Sequence, residues 1–542
     1  MTDIRNKYLD RSDLVFWDDF EENELTDINI DKFGEYDLLH YLNDIESNGL
    51  VKTWQDICNY IINFPLCKNN FLQIDNYASL YEIGLAEENK FYKKNQGQYY
   101  TPDDVAHLMA KWAVHYDGYN ICDVACGTGN LIFAYLDSIG MERAKKTILD
   151  DKIYVYDSDF IALNICKTIF IVKYGKELAQ HVQFVHCDFL DGTISLPQNA
   201  IVISNPPYAR IKSIKSSWQQ SFVVNNTLEM YSVFMEKIFY QAEAAVILTP
   251  FSFLSAKKFA ILRNLMCEIG TGFVISFDNV PGNIFCGKKN GIFNSNTANS
   301  VRAAITVFNK SENVHGYKIS PLIRFKNAER EKVLCVDVLE RTLPDELQCI
   351  TRGNKPFKKV HKDLLEVYEL WVKKSKYVLK DFLTSNRSSY FIDFPNTCRY
   401  FTTASSHKLD RQGSIGLYIN NMAAYKIAYC ILNSSFCYWW WRIFDGSIIY
   451  KKCLLENMPF PMNLITKDDE VFFETIFNEM STREEKYIVT KNNAGMMQEN
   501  IKFPLQYRRM INQRMLKILG SQQSEEIFNE IHSNSFFEEY RN

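Results

Sequence analysis

The sequence predicts an α/β protein: a doubly wound, mostly parallel sheet, followed by a basic mixed α/β domain and flanked by helical termini. Two observations carry this reading. Short β-branched runs alternate with amphipathic helical stretches between about residues 96 and 310, the pattern of strands linked by crossover helices. From about 311 the alternation dissolves, and residues 321–460 hold 22 Lys and Arg against 14 Asp and Glu. A chain of 542 residues also exceeds the roughly 250 to 300 at which single cores stop growing. The expected division is an acidic helical region 1–92, an alternating domain 93–312, a basic domain 313–465 and a helical tail 466–542.

Within 1–92 only leucine and isoleucine spacing, as at Leu38, Leu39, Leu42 and Ile45, indicates helix. Thr101-Pro102-Asp103-Asp104 then reads as a helix start, with Thr101 as N-cap, Pro102 at the first helical position and acids in the first turn. Val105, Leu108, Met109 and Trp112 give that helix one apolar face. Strands are expected at 121–125, 152–157, 182–186, 200–204, 245–249, 272–277 and 301–308. Helices are expected after Leu131, through Ala162 to Ile169, at 230–240 and from Ser255.

Four successive strands end in residues suited to chemistry. The first runs through Asp123 and Ala125 into Cys126-Gly127-Thr128-Gly129, whose glycines permit a tight turn and close ligand approach before a helix. The second ends in Asp157, an acid placed to accept from ribose hydroxyls. The third leads into Asp188-Phe189, a carboxylate beside a ring. The fourth, Ala200-Ile201-Val202-Ile203-Ser204, runs into Asn205-Pro206-Pro207-Tyr208. Two prolines stiffen that turn and donate no N–H. What remains is a cluster of acceptors beside an aromatic face, suited to a planar substrate bearing an NH2 group. Taken singly, each position also reads as an ordinary turn or helix cap. Their occurrence in order along one sheet edge, where open α/β sheets bind ligands, favours a site.

The series resembles the class I S-adenosylmethionine-dependent methyltransferases, which are Rossmann-like, and specifically the gamma-class amino-methyltransferases that make N6-methyladenine in DNA. The motif resemblance covers about 96–310 and extends more loosely to about 461. Gly97-Gln98-Tyr99-Tyr100-Thr101-Pro102 is similar to the family's motif before the glycine loop, implying that Thr101 faces the methionine part of the cofactor. The resemblance further implies that Asp123, Ala125, Gly127 and Gly129 hold the cofactor, with Asp123 at its amino group, Asp157 at the ribose, and Asp188 with Phe189 at the adenine. Asn205, Pro206, Pro207 and Tyr208 would be catalytic: Asn205 and the Pro206 carbonyl accept from the amine, Tyr208 stacks on the flipped base, and Asn205 also borders the cofactor. Phe308, near the end of a late strand, is the candidate for a second stacking ring, and 285–299 reads as an insertion. The order of cofactor loop, Asn-Pro-Pro-Tyr and basic region is the gamma arrangement. The stretch 432–461, with Trp439, Trp440 and Trp441, resembles the close of a target-recognition domain, although an aromatic core explains it equally.

The implied activity is site-specific methylation of adenine N6 in double-stranded DNA within a restriction-modification system, with S-adenosyl-L-methionine as cofactor. Alternatives are the same chemistry on RNA or on protein glutamine, and a non-catalytic DNA-recognition subunit. Residues 1–90 carry 7 basic against 19 acidic residues. The termini read either as docking segments for a restriction or specificity subunit or as solvated closing helices. Fourteen cysteines without a C-x-x-C pair point to a reducing cytoplasm and to no metal site. No apolar run approaches the ~18 residues of a membrane span.

Overall fold

Apolar, β-branched side chains on both faces make Ala200–Ser204 a strand covered on both sides, and all five of its residues are buried. Around it the computed structural model describes residues 101–532, except 117, 219–220, 286–300, 351–352, 399 and 494–495. The expected acidic region, the tyrosines before Thr101 and the expected insertion 285–299, save Phe285, thus lie outside the described residues. The described chain divides into two units. The first comprises residues up to Phe253 with Ile261–Gly272 and Asn283–Gly316; the second comprises Leu254–Ala260, Phe273–Gly282 and the chain from Tyr317.

In the first unit α1 (Asp103–Ala113) precedes β1 (Asn120–Asp123), α2 (Asn130–Ile139), α3 (Met141–Leu149), β2 (Ile153–Asp157) and α4 (Phe160–Tyr174). β3 (Gln183–His186), β4 (Ala200–Ser204), α5 (Met230–Gln241), β5 (Ala244–Pro250) and α6 (Ala260–Ile269) follow. With β7 (Ala303–Lys310) the strands of this unit lie in the order β3-β2-β1-β4-β5-β7, while β6 (Gly270–Phe277) and β8 (Gly316–Ile323) fall largely in the second unit. β1 lies parallel between β2 and β4, and β4 is parallel to β5. The order therefore reverses at β1, and the crevice beyond the carboxyl ends of β1 and β4 is where such a sheet receives a ligand. β7 runs antiparallel to β5, with Ala303 opposite Pro250 and Asn309 opposite Ala244. Its start, not its end, therefore reaches the ligand edge.

The doubly wound fold is as expected, with local differences. Thr101 does not cap α1: Pro102 occupies the N-cap position with no side-chain hydrogen bond. The helix expected from Ser255 begins at Ala260, after short 3-10 turns at Phe251–Leu254 and Lys257–Phe259.

The second unit is built on an aromatic core. Trp371, Phe436, Trp439, Trp440 and Trp441 are buried there, the last three on the helix Ser435–Phe444. The tryptophan run is thus core, the plainer of its two readings. Phe473, Ile476, Tyr507, Met515 and Phe528 join the same core. The segment after 466, expected as a separate helical tail, packs with 360–460 and includes the hairpin Ile488–Asn493 and Met496–Ile501. Among the described residues no helix is long and apolar enough to cross a membrane.

Candidate active site

At the carboxyl ends of β1, β2 and β4 lies a cavity of about 400 Å³, within the ordinary range for small-molecule sites. Thr101, Asp123, Ala125, Gly127, Asp157, Asp188, Phe189, Asn205 and Pro207 all line it. Residues expected from five separate sequence segments are therefore brought to one place.

Asp123 ends β1 and is buried. Its Oδ1 accepts from the Ser204 hydroxyl at 2.8 Å and from the Ala125 N–H at 3.2 Å. Its Oδ2, equally buried, has no hydrogen-bond partner. Burial disfavours the charged form and pushes the carboxyl up to about 7, with the Asp157 charge adding to the effect. Beside it, the buried Thr128 hydroxyl also lacks a partner. The loop turns through Gly127 (φ 53°) and Gly129 (φ 93°), both left-handed. At Gly129 a Cβ would stand 2.6 Å from Cys166 Sγ and 2.7 Å from the Phe133 ring, so glycine is required for space as well as conformation.

Asp157 at the end of β2 accepts the Gly127 N–H at Oδ2 and the Asp159 N–H at Oδ1, each at 2.7 Å. Burial pushes it up to about 6, Asp159 adds to the rise, and the backbone N–H groups oppose it. This carboxylate ties the glycine loop to β2 while retaining acceptor capacity.

Asp188 accepts the Leu190 N–H at 3.1 Å and an ion pair from Lys215 at 2.6 Å. The Phe189 ring packs against Phe234 at 5.5 Å. Sequence reasoning did not find what holds this turn: Lys237 on α5 donates to the Phe189 carbonyl at 2.5 Å and the Asp191 carbonyl at 2.7 Å. Its ammonium also sits 4.6 Å from the Phe189 ring centroid. Burial lowers its pKa to about 8, against the opposing charges of Cys187, Asp191 and Asp188.

The Asn205 side chain is oriented from both ends. Its Nδ2 donates to Thr101 Oγ1 at 3.1 Å, and its Oδ1 accepts from the Tyr208 hydroxyl at 2.6 Å. Thr101 thus spends its hydroxyl on Asn205 instead of capping α1, and Asn130 Nδ2 holds the Thr101 carbonyl at 2.6 Å. The Tyr208 ring meets Tyr231 and Phe285 edge-on, at 6.2 and 5.8 Å.

Phe308 requires correction. It is fully buried opposite Ala245, the second residue of β5, and packs against Phe239 at 4.7 Å. Because β7 is antiparallel, a residue near its end lies away from the ligand edge. The ring beside Tyr208 is Phe285, which precedes β7. Lys215 and Trp218, from the segment after Tyr208, also line the cavity and were not anticipated; only their proximity to the Asn-Pro-Pro-Tyr turn could have drawn attention to them.

A sheet that reverses at β1, with a glycine loop, a buried Asp123, a second acid at the end of β2 and an Asn-Pro-Pro-Tyr turn around one cavity, defines a class I methyltransferase fold. The chain belongs to the N-6 DNA Methylase family, whose sequence profile matches residues 72–345. It is 24% identical over 153 residues to the type I restriction enzyme MpnII methylase subunit of Mycoplasma pneumoniae, covering 25% of this chain and 26% of that one. It is also 24% identical over 208 residues to the type I restriction enzyme EcoEI methylase subunit of Escherichia coli, covering 36% and 42%. The matched regions therefore span less than half the length of these relatives. Among solved structures, the type IIG restriction endonuclease BpuSI aligns with 95% of this chain and 76% of its own, at 11% identity and a TM-score of 0.42.

Proposed function

We propose that this chain methylates N6 of adenine in double-stranded DNA, using S-adenosylmethionine, as the modification activity of a restriction-modification system. The observation that carries the reading is that Asn205, with its amide oriented by Thr101 and Tyr208, shares one cavity with the unmatched Asp123 oxygen. When bound, S-adenosylmethionine supplies an electrophilic methyl group on its sulfonium.

The residues present fit that cofactor. Asp123 Oδ2 is a buried acceptor suited to an ammonium, and the Thr128 hydroxyl is a second unmatched group beside it. Asp157 is suited to ribose hydroxyls, and Asp188 with Phe189 to an adenine edge and face. On the substrate side, the amine of adenine is a poor nucleophile because its lone pair is delocalised into the ring. Asn205 Oδ1, which takes the Tyr208 hydroxyl, is the proposed acceptor for one amine hydrogen, and the Pro206 carbonyl is the proposed second acceptor. Holding both hydrogens favours a pyramidal nitrogen and directs its lone pair out of the ring plane. The contribution is positioning and fixed dipoles. A duplex base reaches such a pocket only when flipped out, at a cost of a few kcal/mol, and stacking on Tyr208 offsets part of it.

The test is methyl transfer from tritiated cofactor to genomic DNA, followed by nucleoside chromatography. N6-methyladenine is the expected product, and Asn205→Ala should lower the rate about 100-fold. Tyr208→Phe keeps the ring and loses the hydrogen bond to Asn205, so a fall of about tenfold is expected. An Asn205→Ala protein near the wild-type rate would overturn the assignment, and label found in RNA or protein glutamine would move the same chemistry to another amine.

A further inference from the structure

We propose that the excursion of residues 209–230, which follows Tyr208 directly, is a duplex-DNA contact in which Arg210 and Lys212 meet phosphates and the Phe222 ring packs against bases. The inference rests on the adenine reading for the identity of the polyanion.

The excursion is closed at its base. The Ile211 N–H donates to the Leu228 carbonyl at 2.9 Å, and the Met230 N–H donates to the Ala209 carbonyl at 3.0 Å. The two ends of the excursion are thereby held together next to Tyr208. From Ala209 to Leu228 the sequence contains Arg210, Lys212 and Lys215 and no acid, and Glu229, the next residue, faces Arg210 across a β-bridge. Lys215 is committed to Asp188. Arg210 and Lys212 are exposed, with no ion-pair partner among the described residues. Two unmatched cations next to the turn that must receive a base complement a phosphate backbone.

Phe222 is a second and independent sign. Its ring is 69% exposed, more than any other large apolar side chain among the described residues. Its backbone, by contrast, is pinned: Glu236, buried on α5, accepts the Phe222 N–H at 2.8 Å and the Val223 N–H at 3.3 Å, and also takes the Ser221 hydroxyl. Glu236 thereby fixes the backbone beneath a solvated ring. A flat apolar face on the same excursion as these cations suits the faces and edges of bases exposed when one base leaves the stack.

Fluorescence anisotropy of the full chain with a randomised-sequence duplex, at several salt concentrations and with S-adenosylhomocysteine present, tests this without knowledge of the recognition site. Arg210→Ala/Lys212→Ala should lower the slope of log affinity against log salt by about 2, close to one per phosphate contact. Phe222→Ala should weaken duplex binding about tenfold with the slope retained, and Phe222→Trp should restore it. S-adenosylhomocysteine affinity should stay unchanged in all three, which shows that the fold is intact. Wild-type duplex affinity and slope in both alanine variants would overturn the proposal and assign the excursion to a protein partner. The adenine reading fails separately: a chain whose duplex binding responds as described but which makes no N6-methyladenine keeps the contact and loses the chemistry.

Discussion

Asp123, the proposed cofactor contact, would tie cofactor binding to pH through its burial. In the unfolded chain it would titrate near its ordinary 3.8, whereas burial in the folded chain moves it to about 7. Between those values the folded state holds more protons than the unfolded one. Its contribution to stability is therefore greatest below about 4 and declines as pH rises through 7. Cofactor binding should change in the opposite direction, because the ionised carboxylate is the form that attracts an ammonium. Titration calorimetry with S-adenosylhomocysteine should show affinity rising as pH is raised through 7. Asp123→Asn should bind weakly and lose that rise, while its melting temperature depends less on pH between 5 and 7. An equal pH dependence in Asp123→Asn would remove this carboxylate from the cofactor contact, since titration of the ligand itself is common to both proteins.

At the scale of elements, α5 reaches back to hold the turn after β3. Lys237 offers two charge-assisted hydrogen bonds and a cation–ring contact to Phe189 and Asp191. Lys237→Met should therefore raise the cofactor KM about tenfold while kcat changes little, the loss of roughly one charged hydrogen bond. In the wild type, affinity should fall again as pH passes about 8, where Lys237 loses its charge beside Cys187, Asp188 and Asp191. Lys237→Arg should remove that fall. A Lys237→Met protein with an unchanged KM would show that the turn holds itself. This lysine was not legible in the sequence, because a lysine on a helix ordinarily reads as solvated. Asp123, Asp157 and Asn205 were legible because strand periodicity and the residue after a strand are local properties. Phe308 was misplaced because the direction of β7 is a non-local pairing that periodicity does not encode. Thr101 was recognised as a site residue through the family motif, but the capping rule missed that its hydroxyl has a competing tertiary partner in Asn205. Tertiary acceptors override local preferences where a site needs them.

For the whole molecule, net charge along the chain overstates what the surface can offer. The basic excess of residues 321–460 includes Arg411 and Lys408, both paired with buried Asp393, and Arg324 and Arg442, both paired with buried Asp278. Part of the expected phosphate-binding surface is thus spent inside the second unit. The Asp278 side chain is 0% exposed, and its Oδ2 takes Arg324 Nη2 at 3.2 Å as well as Arg442 Nη1. Arg324 continues to the Tyr438 hydroxyl and Arg442 to the Leu322 carbonyl, each at 2.6 Å, so the network links the strand ends to the tryptophan helix. Removing one partner of such a group leaves uncompensated buried charge, at a cost of about 3–5 kcal/mol. Asp278→Asn should therefore destabilise the unit by about that amount in urea denaturation. Tryptophan fluorescence is the suitable probe, because Trp371, Trp439, Trp440 and Trp441, half of the chain's 8 tryptophans, lie in this core. Adding Arg442→Met in the same chain removes one stranded cation and should recover part of the loss, as expected when the cost lies in unpaired charge rather than in a missing contact. A destabilisation below about 1 kcal/mol in Asp278→Asn would place the pair with ordinary surface ion pairs.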